Sequence, residues 1–145
     1  MVKTTEIFVK DIMKPAITVT EEMKIIELLD FIDKRKFSIL LVVDKNNVLT
    51  GMVTEQDLIK LVKPEPTSPI AGNVWFDTVE KSHGNKPIKE IMNTKIISIS
   101  PNDTIDSALK VMNNYNVRVL PVIDAENKII GVIRLRDIFE KLLKE

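Results

Sequence analysis

The chain has no cysteine, which excludes a disulfide framework, a thiolate zinc site and a thiol nucleophile together. Its single histidine, His83, sits in a polar Lys-Ser-His-Gly-Asn stretch with no second imidazole nearby, so no metal site is expected. Net charge is absent as well. The 21 basic and 21 acidic residues cancel, which removes the electrostatic footprint of a dedicated nucleic-acid binder. Long apolar runs are also missing: the longest, Ile39 to Val43, is far too short to span a bilayer, and the N-terminal stretch from Met1 to Glu6 lacks the apolar core of a secretion signal. Nothing pairs a nucleophile with a base, clusters metal ligands or supplies a lysine-bearing phosphate loop. The expectation is a soluble cytoplasmic protein that is not an enzyme and has neither a nucleic-acid nor a membrane partner.

What is present is a repeat. Leu40-Leu41-Val42-Val43-Asp44 followed by Gly51-Met52-Val53-Thr54-Glu55-Gln56-Asp57 returns as Leu120-Pro121-Val122-Ile123-Asp124 followed by Gly131-Val132-Ile133-Arg134-Leu135-Arg136-Asp137. Upstream, Ile25 and Leu29 answer Ile105 and Leu109, and Asp11-Ile12-Met13 answers Glu90-Ile91-Met92 with a one-residue slip. A unit that recurs with its glycine and carboxylate in register is a structural module used twice. At 145 residues the chain is long enough to bury about 70% of its unfolded surface, whereas a repeat of roughly fifty to sixty residues is marginal alone, so the two should share a core. The seam between them is a natural place for a small-molecule pocket.

Within the first repeat, Ile17-Thr18-Val19 reads as a short strand and Met23 to Arg35 as a helix, with Ile25, Leu28, Leu29 and Ile32 at helical spacing. Ser38 to Val43 reads as a buried strand, Asp44-Lys45-Asn46-Asn47 as a turn, and Val48 to Val53 as the return of a hairpin. Helix is expected again from about Thr54 to Val62. The second repeat copies this with a strand from Ile96 to Ile99, a helix from Thr104 to Tyr115, strands Arg118 to Ile123 and Lys128 to Ile133, and a last helix to Leu143. The fold class is α+β, two β-α-β-β-α repeats packed pseudo-symmetrically, with repeats over 8–63 and 87–145. Between them, 64–86 is a linker whose three prolines in Lys63 to Pro69 favour an extended path. Its Trp75 and Phe76 are either a lid or docking patch, or two aromatics that tie a long linker onto the module.

The chemistry-bearing feature is Gly51 to Asp57, which sets a strand end, a hydroxyl and a carboxylate at a helix N-terminus. Free amides and the helix dipole favour an anion there, the Thr54 hydroxyl suits a phosphate oxygen, and Asp57 suits two vicinal ribose hydroxyls. Threonine followed three residues later by an acid is also an ordinary capping box, and on spacing alone that is the better reading.

Taken together, the duplicated marks resemble the tandem repeat of cystathionine-β-synthase-type domains, the CBS domains. The resemblance covers nearly the whole chain outside the linker and the first few residues. It implies a disc-like module whose two clefts take an adenosine ligand such as AMP, ADP, ATP or S-adenosylmethionine, and whose repeats reorient on binding. Carried onto this sequence, it assigns Thr54 to phosphate or ribose and Asp57 to the ribose. It lines the adenine slot with Ala16, Ile17, Thr18, Phe37, Ser38 and Ile39, sets Met52 beneath the ring, and brings Arg118 to the phosphates from the other repeat. The second cleft, with Ile97, Ser98, Val117, Arg118, Val119 and Asp137, departs from the pattern: Arg134 replaces the usual threonine or serine, and the position opposite is Ser38, without charge. Arg134 either fills this cleft and pairs with a carboxylate or reaches a phosphate; the expectation is a weaker or empty site.

Two function classes follow. One is a stand-alone regulatory module that binds an adenine nucleotide and signals occupancy to an unidentified protein target or to its own dimer. The other is a ligand-free dimerisation or interaction module. The helices carry more apolar positions than one small sheet covers, and the resemblance points to a two-fold dimer, so a homodimer is expected in either case.

Overall fold

Branched apolar runs bounded by Asp-Asn turns make two hairpins, and the rest of the molecule is built on them. A computed structural model of the chain describes residues 3–35, 39–65, 75–78 and 81–144. In the first repeat β1 (Thr18–Thr20) runs parallel to β2 (Ile39–Val43), which pairs antiparallel with β3 (Leu49–Thr54), and α1 (Ile25–Arg35) connects the first two strands. In the second, α2 (Ile105–Tyr115) precedes a hairpin of two strands (Val119–Ile123 and Ile129–Arg134), and α3 (Leu135–Lys144) closes the unit. Between the repeats, β4 (Lys63–Glu65) pairs antiparallel with β5 (Trp75–Thr78), while 66–69 of the proline-rich stretch expected to be extended lies outside the described residues; the hairpin strands of the second repeat are then β6 and β7. Among the described residues no helix is long and apolar enough to cross a membrane.

The duplication holds to the level of single atoms. Asp44 Oδ1 accepts from the amides of Asn46 and Val48 at 2.8 and 3.0 Å, and Asp124 Oδ1 accepts from Glu126 and Lys128 at the same distances. Each turn closes on an asparagine in the left-handed region, Asn47 at φ 65° and Asn127 at φ 64°, a conformation that asparagine tolerates better than most residues. The two turns then clasp each other: Leu49 N donates to Asn127 O and Ile129 N to Asn47 O, both at 3.1 Å.

Each repeat is completed by the other one's leader. Residues 7–14 leave the first repeat and pack on the second, where Val9 and Ile12 are buried with Ile105, Leu120 and Ile133. Residues 86–93 do the reverse, burying Ile88 and Ile91 with Leu28, Leu40 and Val53. Burying one such side chain is worth about 1.5–3 kcal/mol, so the exchange supplies a substantial share of both cores. Backbone bonds fix its register: Lys14 N to Val132 O at 2.8 Å and Val132 N to Lys14 O at 2.9 Å on one side, Asn93 N to Met52 O at 2.8 Å and Met52 N to Asn93 O at 2.9 Å on the other. The recurring glycine and methionine meet here. A Cβ on Gly51 would lie 2.5 Å from Met92 Sδ, and one on Gly131 would lie 2.9 Å from Lys14 O and 3.2 Å from Met13 Sδ. Leu41, Val43 and Ile129 form a third cluster between the two sheets.

Two elements differ from the sequence expectation. The strand expected over Ile96 to Ile99 reduces to one parallel bridge, Ile99 with Val122. Ile99 N donates to Pro121 O and Ile123 N to Ile99 O, both at 3.0 Å; the preceding rung would need an amide hydrogen at position 121, which proline lacks. The first repeat has Leu41 at the equivalent place and keeps a three-residue β1. The α-helix expected from Thr54 to Val62 is a 3-10 helix over Glu55–Leu61. Pro64 disfavours helical geometry at the residue before it, leaving too short a run for a settled α-helix, whereas α3 meets no proline.

Gly131→Ala should therefore cost about 1–3 kcal/mol, because a backbone carbonyl cannot step aside as a flexible side chain can. Gly84→Ala, whose Cβ would stand 3.4 Å from Ile26, should stay within about 0.5 kcal/mol of the wild type. Urea unfolding midpoints compare the two directly.

Candidate functional site

Thr54 ends β3 and Asp57 lies in the first turn of the helix that follows. One carboxylate oxygen, Asp57 Oδ2, accepts from the Thr54 amide at 2.8 Å and from the Thr54 hydroxyl at 3.3 Å, which is the carboxylate half of the capping box. The other oxygen lies 3.0 Å from Lys60 Nζ, and the Asp57 side chain is 15% exposed. Lys60 Nζ also donates to Ile91 O at 2.8 Å, so the ammonium spans the carboxylate and the second leader.

Strand register brings further residues to this place. Ile39 pairs directly with Thr54 across β2 and β3, and Ala16 and Ile17 lead into Thr18 at the start of β1. Ala16 and Met52 are half-buried together against Leu41, Val43 and Ile129. Phe37 and Ser38 lie outside the described residues. Arg118 is exposed at the foot of β6, and its carbonyl accepts from Leu135 N at 2.8 Å, which ties it to the end of β7 in its own repeat.

The second repeat repeats the geometry with different charges. Val119 pairs with Arg134 as Ile39 pairs with Thr54. Arg134 folds onto Asp137 in a two-pronged contact, Nε to Oδ2 at 2.7 Å and a terminal nitrogen to Oδ1 at 3.3 Å. Of the two sequence expectations for this arginine, the carboxylate pairing is the arrangement found. The hydrogen bond to Asp137 raises the guanidinium above its ordinary range; burial works against this, and the charges of Asp137 and Glu140 add to it. Arg134 therefore stays charged across the accessible pH range. Asp137 is buried, at 8% exposure. Ile97 and Val117 pack against the core of this repeat. Ser98 borders a depression of 460 Å³ beside the Ile123–Asn127 turn, and Asp137 borders a groove of 310 Å³ between the first leader and α3.

Sequence reasoning missed Lys60. Its signal was present, since a lysine three residues after a carboxylate on a helical turn is a ready ion-pair partner. The contact to Ile91 O had no local signal, because it depends on the exchange of leaders. His83 Nδ1 is buried without a partner, and among the described residues no group of three His, Cys, Asp or Glu is placed to hold a metal ion.

With this geometry in view, comparison with known families is decisive. The CBS domain model matches twice, over residues 9–64 and 88–144. The chain belongs to the CBS domain family. Protein MJ1426 of Methanocaldococcus jannaschii is 29% identical over 93% of this CBS pair and 90% of its own length. Inosine-5'-monophosphate dehydrogenase of Aquifex aeolicus is 31% identical over 86% of the pair, but the pair spans only 22% of that enzyme. Among solved structures, the CBS domain pair of protein MJ0100 in complex with 5'-methylthioadenosine and S-adenosyl-L-methionine superposes with a TM-score of 0.69 at 25% identity, covering 94% of this chain and 96% of that one.

The buried end of the Arg134–Asp137 pair is the sensitive one. Arg134→Ala strands the Asp137 carboxylate and should cost about 1–2 kcal/mol, while Asp137→Ala releases a half-exposed guanidinium to water and should cost less than about 1 kcal/mol. Chemical denaturation of both variants measures the difference.

Proposed function

We propose that this CBS pair is a regulatory, non-catalytic module that binds an adenine nucleotide, AMP, ADP or ATP, in the first cleft and passes occupancy to a partner or to its own dimer. The observation that carries the reading is the pose of Asp57: a carboxylate fixed at the mouth of a strand-to-helix turn by the Thr54 amide and Lys60, with Thr54 as its second polar group and Ile39 paired with Thr54 on the neighbouring strand. That arrangement suits vicinal ribose hydroxyls next to an apolar wall for the base. Support also comes from the related pair solved with two adenosine compounds. Ala16, Ile17 and Thr18 form the other wall, Met52 lies beneath the base, and the exposed Arg118 supplies charge for phosphate. Phe37 and Ser38 belong to the same proposed lining. In the second cleft Arg134 is already committed to Asp137, and that cleft is the weaker one.

Binding should be read by calorimetry with AMP. Asp57→Ala removes a charged partner of the ligand and is expected to weaken AMP by about tenfold or more, since such bonds are worth about 1.5–3 kcal/mol. Unchanged affinity in both Asp57→Ala and Arg118→Ala would reject the site, and a wild type that binds no adenosine ligand would favour the ligand-free interaction module.

The proposed assembly is a homodimer. Ile26, Leu29, Ile59, Tyr115, Phe139 and Leu143 are large apolar side chains left exposed on helical segments, the last at 78%. Closed two-fold association is the commonest way to cover such faces. Light scattering at micromolar concentration should give twice the chain mass, and Phe139→Asp with Leu143→Asp should lower it; a wild-type monomer contradicts the assembly.

A further inference from the structure

The two repeats share a carboxylate but flank it with charges in opposite order: Thr54, Asp57, Lys60 in the first, Arg134, Asp137, Glu140 in the second. Lys60 reaches Asp57 Oδ1 from the leader side, anchored at 2.8 Å on the Ile91 carbonyl. Arg134 reaches Asp137 from the strand-end side, where the first repeat has a small threonine. Glu140, at the position equivalent to Lys60, has no hydrogen to donate to a leader carbonyl. On that side of the second repeat lies the 310 Å³ groove, bordered by Asp137 and Glu140 together with Lys14, Lys141 and Lys144, and there Lys144 pairs with Glu140 at 3.4 Å, while Asp137 is held by Arg134. In each repeat a cation covers the carboxylate, but from opposite sides, and only in the first does it leave the strand-end side to a short side chain.

We propose that Lys60 is the positioning residue of the first cleft. It holds Asp57 Oδ1 from behind while the Thr54 amide holds Oδ2, which presents the carboxylate to ribose and keeps the nucleotide side open. This rests on the reading of Asp57 as the ribose partner. The transfer of the cation from position 60 to the equivalent of position 54 is what separates the two clefts, so removing Arg134 alone does not convert the second. The pair Arg134→Thr with Glu140→Lys restores both the open strand end and the anchored cation.

The test uses the full chain, calorimetry, and two probes, AMP and 2',3'-dideoxy-AMP, which lacks the hydroxyls that Asp57 would accept from. Wild type should prefer AMP by about tenfold. Lys60→Met should lower that preference by about fivefold, the scale of one partly exposed ion pair, with dideoxy-AMP affinity unchanged, and Lys60→Arg should restore it. A Lys60→Met chain that keeps the full preference, or that loses both probes equally, overturns the positioning role. A wild type that binds the two probes alike, or binds neither, overturns the ribose reading of Asp57 instead. Independently of how Lys60→Met folds, the Arg134→Thr/Glu140→Lys chain should take up a second AMP that Arg134→Thr alone does not; a second AMP in the single variant, or none in the double, overturns the proposal.

Discussion

The exchange of leaders is the constraint on which the rest of the molecule depends. Each hairpin has one edge covered by a segment that belongs in sequence to the other repeat, through the backbone pairs Lys14–Val132 and Asn93–Met52. An uncovered edge strand is an invitation to aggregate, and here each repeat supplies the cover for its twin. The approach is close at both crossings: the Lys14 carbonyl leaves no room for a Cβ at Gly131, and at Gly51 the Met92 side chain would have to move to admit one. Since Val9, Ile12, Ile88 and Ile91 are buried in the opposite cores, neither repeat has a complete interior by itself. The pair is thus the folding unit, as expected of modules this small.

The same exchange sets the electrostatics of the clefts. Because the second leader passes beside the helix after β3, the Ile91 carbonyl is available to orient Lys60, and Lys60 in turn orients Asp57. In the second repeat the carboxylate is served instead by a guanidinium from the strand end. Both solutions keep a mostly buried carboxylate paired, which burial of a charge requires. They differ in where the cation stands, and so in how much room remains on the side of Thr54 or Arg134. Duplication kept the scaffold and let the charge order diverge.

Much of the fold was legible because the informative residues recur in register. The glycine-to-aspartate stretch, the Asp-Asn turns and the helical spacing of Ile25, Leu28 and Leu29 each point to one local structure, and the elements found start and stop within about two residues of those expected. Two departures trace to prolines whose effect lies one step beyond periodicity: Pro121 removes a ladder donor for its neighbour, and Pro64 shortens the helix before it. The destination of the leaders was not legible. An Asp-Ile-Met or Glu-Ile-Met run looks the same whether its apolar side chains fill the repeat that follows or the one across the seam, because periodicity reports burial and not partner. Lys60 was overlooked for the same reason, half of its environment being supplied by that crossing.

The crossing also ties the proposed walls of the two clefts to each other's sheets. Four residues after Asn93 leaves the edge of β3, the chain reaches Ile97, which begins the proposed wall of the second cleft; two residues after Lys14 leaves β7, it reaches Ala16, which begins the proposed wall of the first. Each wall therefore hangs from a backbone bridge to the opposite sheet. A change in the angle between the sheets would move both walls together, so under the proposed function a ligand that favoured one angle in one cleft would favour it in the other, as linkage demands. The two sheets meet across the apolar cluster of Leu41, Val43 and Ile129 with Leu49 and Val132, so any change of angle between them has to be accommodated by repacking these side chains.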